Sequence, residues 1–170
     1  IRNPDNRGVP KARNQGIKAS SHDYLILMDN DVEVREGWLS DLFSEIKNGA
    51  AIVGLEAWQL DHNFSACYKC QNANERFDYL GGACNLFKRG VFETAGLLDE
   101  GFSPAYYEDP DICIRAKNAG FKLAWVQSGN IIHKEHATLI HGQRDFSYTE
   151  AISKSYTRFA SKMRGELQVT

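Results

Sequence analysis

Tyr24-Leu25-Ile26-Leu27-Met28 is an unbroken apolar run. Short, bounded and without alternation, it predicts a strand buried on both faces, as in a parallel sheet. Asp29-Asn30-Asp31 follows at once. Trp38, Leu42 and Ile46 then recur along one helical stripe, with Leu39 and Phe43 beside it, and Asn48-Gly49 marks the end of that helix. Ala51-Ile52-Val53-Gly54 predicts a second buried strand. Strand, helix and strand with short links make a βαβ unit, which places the chain in the α/β class. Ahead of the first strand, Asn3 to Gly8 reads as a loop, and Pro10 suits the first turn of a helix reaching about Ala19.

From about residue 55 to 80 the periodicity fades among polar and aromatic residues (Trp58, Phe64, Tyr68, Phe77, Tyr79), which predicts a loop-rich insertion. Gly81 to Phe87 predicts a strand, and a short helix near Arg89 to Ala95 ends at Gly96. Glu108-Asp109-Pro110-Asp111 opens another helix, with Asp109 suited to the N-cap and Pro110 to the first helical position. Gly120 is the expected left-handed residue at its close. Lys122 to Val126 and Asn130 to His133 read as strands. A last helix from about Phe146 to Met163 carries Ile152, Tyr156, Phe159 and Met163 at helical spacing. The expected organisation is one domain over residues 1–170, with a core over 1–145 and a C-terminal helix and tail over 146–170.

Composition narrows the function classes. With 42% hydrophobic and 25% charged residues, the chain is globular rather than disordered. A net charge of −2 argues against a nucleic-acid partner, which calls for a basic surplus. No segment is long or apolar enough to span a membrane, no basic, apolar leader opens the chain, and nothing in the four cysteines demands a disulfide framework, so that a reduced cytoplasmic setting is expected. Cys67-x-x-Cys70 resembles half a zinc site, but no second Cys or His pair stands at matching spacing, so the four cysteines read as ordinary thiols.

Four groupings carry candidate chemistry. Asp29-Asn30-Asp31 sits at the C-terminal end of a buried strand, where open α/β sheets bind ligands, and its carboxylates suit Mg²⁺ or Mn²⁺. A plain polar turn would use the same residues. In Glu108-Asp109-x-Asp111-x-x-x-Arg115, capping, the helix dipole and an i,i+4 ion pair account for three of the four residues. The aromatic stretch before it, Gly101 to Tyr107, could line a cleft beside a general base. His133 ends a strand, and His136 and His141 follow without zinc spacing. Asn6-Arg7-Gly8 with Arg13-Asn14 offers a tight turn, a helix start with free N–H groups and an arginine for phosphate, or else a solvated helix start. On the last helix, Lys154, Arg158, Lys162 and Arg164 stand opposite the apolar stripe. They suit either peripheral contact with an anionic membrane or, more commonly, a solvated face of a packed helix.

The order of these elements is more specific than any one of them. Asn6-x-Gly8, Ala12-Arg13-Asn14-x-Gly16, the strand into Asp29-Asn30-Asp31 and Gly37-Trp38-Leu39 come first. Gly96-Leu97-Leu98-Asp99-Glu100-x-Phe102, Glu108-Asp109-x-Asp111, Arg115, Ala119-Gly120-Phe121 and Ile132-His133 follow. Over roughly residues 5 to 136 the chain resembles the inverting GT-A-fold glycosyltransferases of family two. The resemblance implies a Rossmann-like mixed, mainly parallel sheet flanked by helices, and a nucleotide-diphosphate sugar donor bound with a divalent cation, Mn²⁺ or Mg²⁺. It implies Asp31 as chief metal ligand with His133 completing the site, and Asp29 and Asn30 towards the donor. Arg13 and Asn14 fall in the donor-binding stretch, Gly81 and Gly82 line the sugar cleft, Asp109 is the catalytic base and Glu108 its orienting partner. The implied acceptor is a glycan or lipid-linked hydroxyl, in polysaccharide or glycoconjugate synthesis.

The chain departs from the family pattern. The first βα units, with the residue that contacts the base, are not in this sequence, and Gln127 stands where the family often has proline. A missing strand would leave an unpaired sheet edge, so a longer protein or another chain, as in a homo-oligomer, is expected to complete the fold. Two other readings remain: a non-catalytic nucleotide-sugar-binding remnant, and a nucleotidyltransferase, which shares this architecture and metal chemistry.

Overall fold

The computed structural model describes residues 1–72, 74–134 and 148–166, the side chains of Cys67 and Tyr148 aside. The order of elements is α1 (Val9–Ala19), β1 (Tyr24–Met28), β2 (Val32–Val34), α2 (Trp38–Lys47), β3 (Ile52–Gly54), β4 (Ala57–Leu60), β5 (Ala66–Lys69) and β6 (Tyr79–Leu80). There follow β7 (Cys84–Lys88), α3 (Arg89–Ala95), a 3₁₀ turn (Glu100–Phe102), α4 (Glu108–Asn118), β8 (Leu123–Trp125), β9 (Ile131–His133) and α5 (Tyr148–Met163). His136, His141 and the expected first residues of the last helix, 146 and 147, lie outside the described residues.

The central sheet has the order β1-β7-β3-β8. β3 and β8 are parallel, and β7 runs antiparallel to both of its neighbours. Three of the four strands therefore share one direction, in the mixed sheet expected from the sequence. β1, α2 and β3 do form a βαβ unit, with β7 inserted between its strands.

Strand alternation sorts the core into two layers. Leu25, Ile52 and Phe87 face one side, where they meet Ile17 of α1, Val91 and Phe92 of α3 and Ile112 of α4. Val53, Cys84 and Leu86 face the other, where they meet Leu42 and Ile46 of α2. Helices thus cover both faces, as the buried β3 requires. β1 is less buried than its apolar run predicts: only Leu25 is fully enclosed, and Tyr24 is 43% exposed.

Three local expectations need correction. The stretch 55–80 is not simply loop: β4 pairs antiparallel with β5 and β6 in a separate three-stranded sheet. Its strands are short, and a register shift between Gln59 and Leu60 breaks the alternation that would have marked them. Asp109 is not an N-cap; α4 begins at Glu108, with Tyr107 in the left-handed conformation at the cap position and no side-chain cap. The start of α1 offers no open set of N–H groups, because Val9 donates to Pro104 O at 2.7 Å and Gly8 donates to Asn6 Oδ1 at 2.9 Å. Gly8 is required there, with φ of 74° and no room for a Cβ, which would stand 2.6 Å from Ser103 Oγ.

α5 also differs from its reading as a helix with a solvated basic face. Phe159, Ala151 and Ala160 are buried, and Phe159 packs on Tyr107 and Phe64. Arg158 and Lys162 turn inward: both reach Asp99, and Lys162 also pairs with Asp111. Lys154 and Arg164 remain exposed. Among the described residues no helix is long and apolar enough to cross a membrane.

Candidate active site

The C-terminal end of β1 continues its pairing for one residue, Asp29 N–H donating to Ala83 O at 2.9 Å. The chain then turns through exposed Asn30 into β2, which pairs with β9 so that Val32 opposes His133. This ribbon brings His133 beside the preceding Asp31, with Nε2 3.4 Å from Asp31 Oδ1. Asp29, Asp31 and His133 each offer a ligand atom within 4.8 Å of the others. Two carboxylates and one imidazole suit Mg²⁺ or Mn²⁺ in a site whose remaining positions are filled by water and phosphate oxygens, and the imidazole leans towards Mn²⁺.

The second acidic group is the start of α4. Glu108 is 4% exposed, and the Asp109 side chain is 21% exposed. Arg13, reaching in from α1, ties the two groups together. Its Nη2 donates to Asp29 Oδ1 at 2.6 Å and to Gly82 O at 3.0 Å, and its Nη1 donates to Asp109 Oδ1 at 3.2 Å and stands 3.8 Å from Glu108 Oε1. One guanidinium therefore spans the aspartate after β1 and the carboxylates of α4, so the two acidic clusters lie within reach of a single side chain.

Burial opposes the charge on Arg13, but Asp109, Asp29 and Glu108 outweigh it and hold the guanidinium pKa above its ordinary value. Burial, followed by the charge of Asp109, pushes Glu108 well above the usual carboxylate range against the pull of Arg13. Burial likewise raises Asp109, with Arg13 opposing and Asp29 reinforcing. The pair is thus set to exchange a proton nearer neutrality than a free carboxylate would.

Gly82 permits the approach of the two halves: a Cβ there would lie 2.3 Å from Asp109 Oδ2. Gly81 lets Trp58 and Glu56 close in from the other side. Asn14 is brought to a different place. It is 2% exposed, and its carboxamide donates to Leu98 O and accepts from Leu98 N–H, fastening α1 to the segment before the 3₁₀ turn. Asp111 also faces inward, between Arg115 at 2.8 Å and Lys162, and Phe102 is fully buried rather than lining the cleft. Burial pushes the Cys84 thiol up to about 11 and the Cys113 thiol up to about 12, in line with ordinary core thiols.

Glu56 escaped the sequence reading. Its Oε1 lies 3.1 Å from His133 Nδ1 and 2.9 Å from Lys69 Nζ. The available signal was its place two residues beyond β3, at the same end of the sheet as Asp29.

Comparison with known proteins points the same way. Residues 1–96 match the model of the family described as glycosyl transferase family 2. Over 154 residues the chain is 25% identical to a pre-mycofactocin glycosyltransferase of Mycobacterium tuberculosis, a match covering 81% of this chain and 32% of that protein. The structure is similar to that of GalNAc-T7 with UDP, GalNAc and Mn²⁺, with a TM-score of 0.70 and 19% identity over 95% of this chain and 36% of that one. It is also similar to the catalytic domain of Drosophila β1,4-galactosyltransferase 7 in complex with xylobiose, with a TM-score of 0.55 and 17% identity over 85% of this chain and 58% of that one. The structural likenesses are likenesses of fold, of the GT-A type. The chain spans less than a third of the length of the curated relatives it matches, 32% in one case and 17% in another.

Proposed function

The chain belongs to glycosyl transferase family 2, and on that premise we propose that it transfers a sugar, with inversion, from a nucleoside-diphosphate sugar to an acceptor hydroxyl. The observation that supports the reading is Arg13 joining Asp29 to Asp109, one guanidinium linking the carboxylate after β1 to the start of α4. Asp31 and His133, with Asp29, are the residues to hold Mn²⁺ or Mg²⁺. Bound there, the cation would supply charge neutralisation to the departing diphosphate.

Asp109 accepts the proton of the acceptor hydroxyl as that oxygen forms its bond to the anomeric carbon. The bond from that carbon to the phosphate oxygen breaks, and its electron pair leaves with the diphosphate. Attack opposite the leaving group inverts the centre. Burial holds Asp109 above the ordinary carboxylate range and Arg13 opposes that rise, while Glu108, buried beside it, is raised by burial and by the charge of Asp109. The three-stranded sheet and the Tyr106-Tyr107 turn frame the acceptor side, since specificity commonly resides in segments mounted on a rigid scaffold.

The test separates the two halves of the site. Asp31→Ala is expected to abolish Mn²⁺-dependent donor binding in calorimetry. Asp109→Asn is expected to retain donor binding while kcat falls by roughly 100- to 10,000-fold. Full turnover by Asp109→Asn would remove the base from the scheme. Saturable donor binding by the parent without transfer to any acceptor would favour a binding module instead.

A further inference from the structure

We infer that Glu56 is a positioning residue that fixes the tautomer of His133 and so presents the Nε2 lone pair to a divalent cation shared with Asp31. The inference rests on the metal reading above and adds a residue to it. Glu56 is held from two sides. Its carbonyl accepts from Gly81 N–H at 2.9 Å, which continues the β4–β6 pairing by one residue. Its carboxylate accepts from Lys69 Nζ at 2.9 Å, and that ammonium lies 5.7 Å from the Trp58 ring. With a side chain only 12% exposed, the carboxylate meets few competing waters.

What it holds is the far nitrogen of the histidine. A carboxylate paired with lysine can only accept hydrogen bonds, so the 3.1 Å contact to His133 assigns the proton to Nδ1. Asp31 Oδ1, 3.4 Å from Nε2, is an acceptor as well, so its claim on a ring proton ends once a cation stands between the two; with the proton on Nδ1, the neutral ring leaves its Nε2 lone pair to that cation. Without Glu56, Asp31 would be the acidic partner nearest the ring, and the proton would move to Nε2, where it blocks coordination. A carboxylate behind a ligating histidine both sets the tautomer and strengthens the donor. Glu56, Gly81 and Lys69 thus come from three separate stretches of chain to fix one ring.

The test uses the metal-free protein first. Long-range proton–nitrogen spectra of protein labelled at histidine, recorded at a pH where the ring is neutral, are expected to show His133 as the Nδ1–H tautomer, and Glu56→Ala is expected to shift it towards Nε2–H. Mn²⁺ titrations should then show an affinity loss of roughly 10- to 100-fold for Glu56→Ala. Glu56→Gln, which keeps an acceptor oxygen, should lose less. An Nε2–H tautomer in the parent overturns the inference without any variant. So does Mn²⁺ affinity equal to the parent's in a folded Glu56→Ala protein, which leaves the metal site itself standing. Failure of the parent to bind Mn²⁺ would overturn the metal reading instead, and the metal-free spectrum would still decide whether Glu56 sets the tautomer.

Discussion

At the scale of single residues, the site depends on what is small as much as on what is charged. The three carboxylates around Arg13 would repel one another without it, and the guanidinium reaches them because Gly82 contributes a carbonyl and no side chain. A methyl at position 82 would stand 2.3 Å from Asp109 Oδ2 and 2.8 Å from its Cγ, so the short aspartate has to rotate away from Arg13. The backbone of Gly82 lies outside the left-handed region, so an alanine adds this contact and no torsional strain. Gly82→Ala should therefore fold normally and bind donor, while kcat falls on the order of 100-fold, the effect of a misplacement of about 1 Å in a reacting group. Kinetics with a separately measured donor affinity check this. A variant that loses donor binding and keeps kcat would place Gly82 on the donor side only.

At the scale of elements, α5 is tied to α4, the helix that carries the proposed base. Lys162, its side chain 4% exposed, joins Asp99 in the turn before α4 to Asp111 within α4, over the ring of Phe102. Removing Lys162 takes one of two cations from each carboxylate, leaving Arg115 on Asp111 and Arg158 on Asp99. Lys162→Met should therefore lower the unfolding free energy by about 2 kcal/mol in urea titrations, less than an orphaned buried charge would cost. Lys154→Met, on the exposed side of the same helix, should stay within about 0.5 kcal/mol of the parent. Equal stability of the two variants would deny α5 this role. Elements of this kind mark the limit of the sequence. β1, α2, β3 and α3 were legible because apolar periodicity and glycine stops act locally, and the order of Asp29, Asp31, Asp109 and His133 was legible through their motifs. The inward turn of Lys162 and the approach of Glu56 to His133 were not, because they join residues 63 and 77 positions apart with no local pattern. The short strands of the second sheet were lost for a second reason, an alternation broken at Gln59 and Leu60.

At the scale of the whole molecule, the start of α4 makes stability depend on pH. Glu108 and Asp109 both have folded pKa values above those of the unfolded chain, with burial as the leading cause. Between the unfolded value, about 4, and the raised folded values, the native protein holds more protons than the unfolded one, so stability falls as pH rises. The stabilising contribution is complete below the unfolded carboxylate range and is lost as pH rises through the folded values of the pair. Asp99 has the reverse sense. Burial raises it, but Lys162, the N–H of Gly101 and Arg158 outweigh burial and lower it, so its contribution is present above the unfolded value and lost in acid. A comparison of the parent with Glu108→Gln cancels the Asp99 effect and isolates the pair. The variant should gain stability over the parent progressively from about pH 5 to pH 8, and the gain should close near pH 4. Its acid limb of kcat/KM should lie lower than the parent's, because Asp109 would no longer share its proton with a neighbouring carboxyl. Thermal unfolding across that range together with the rate profile checks both effects, and parallel stability curves would mean that the pair titrates alike in the folded and unfolded protein.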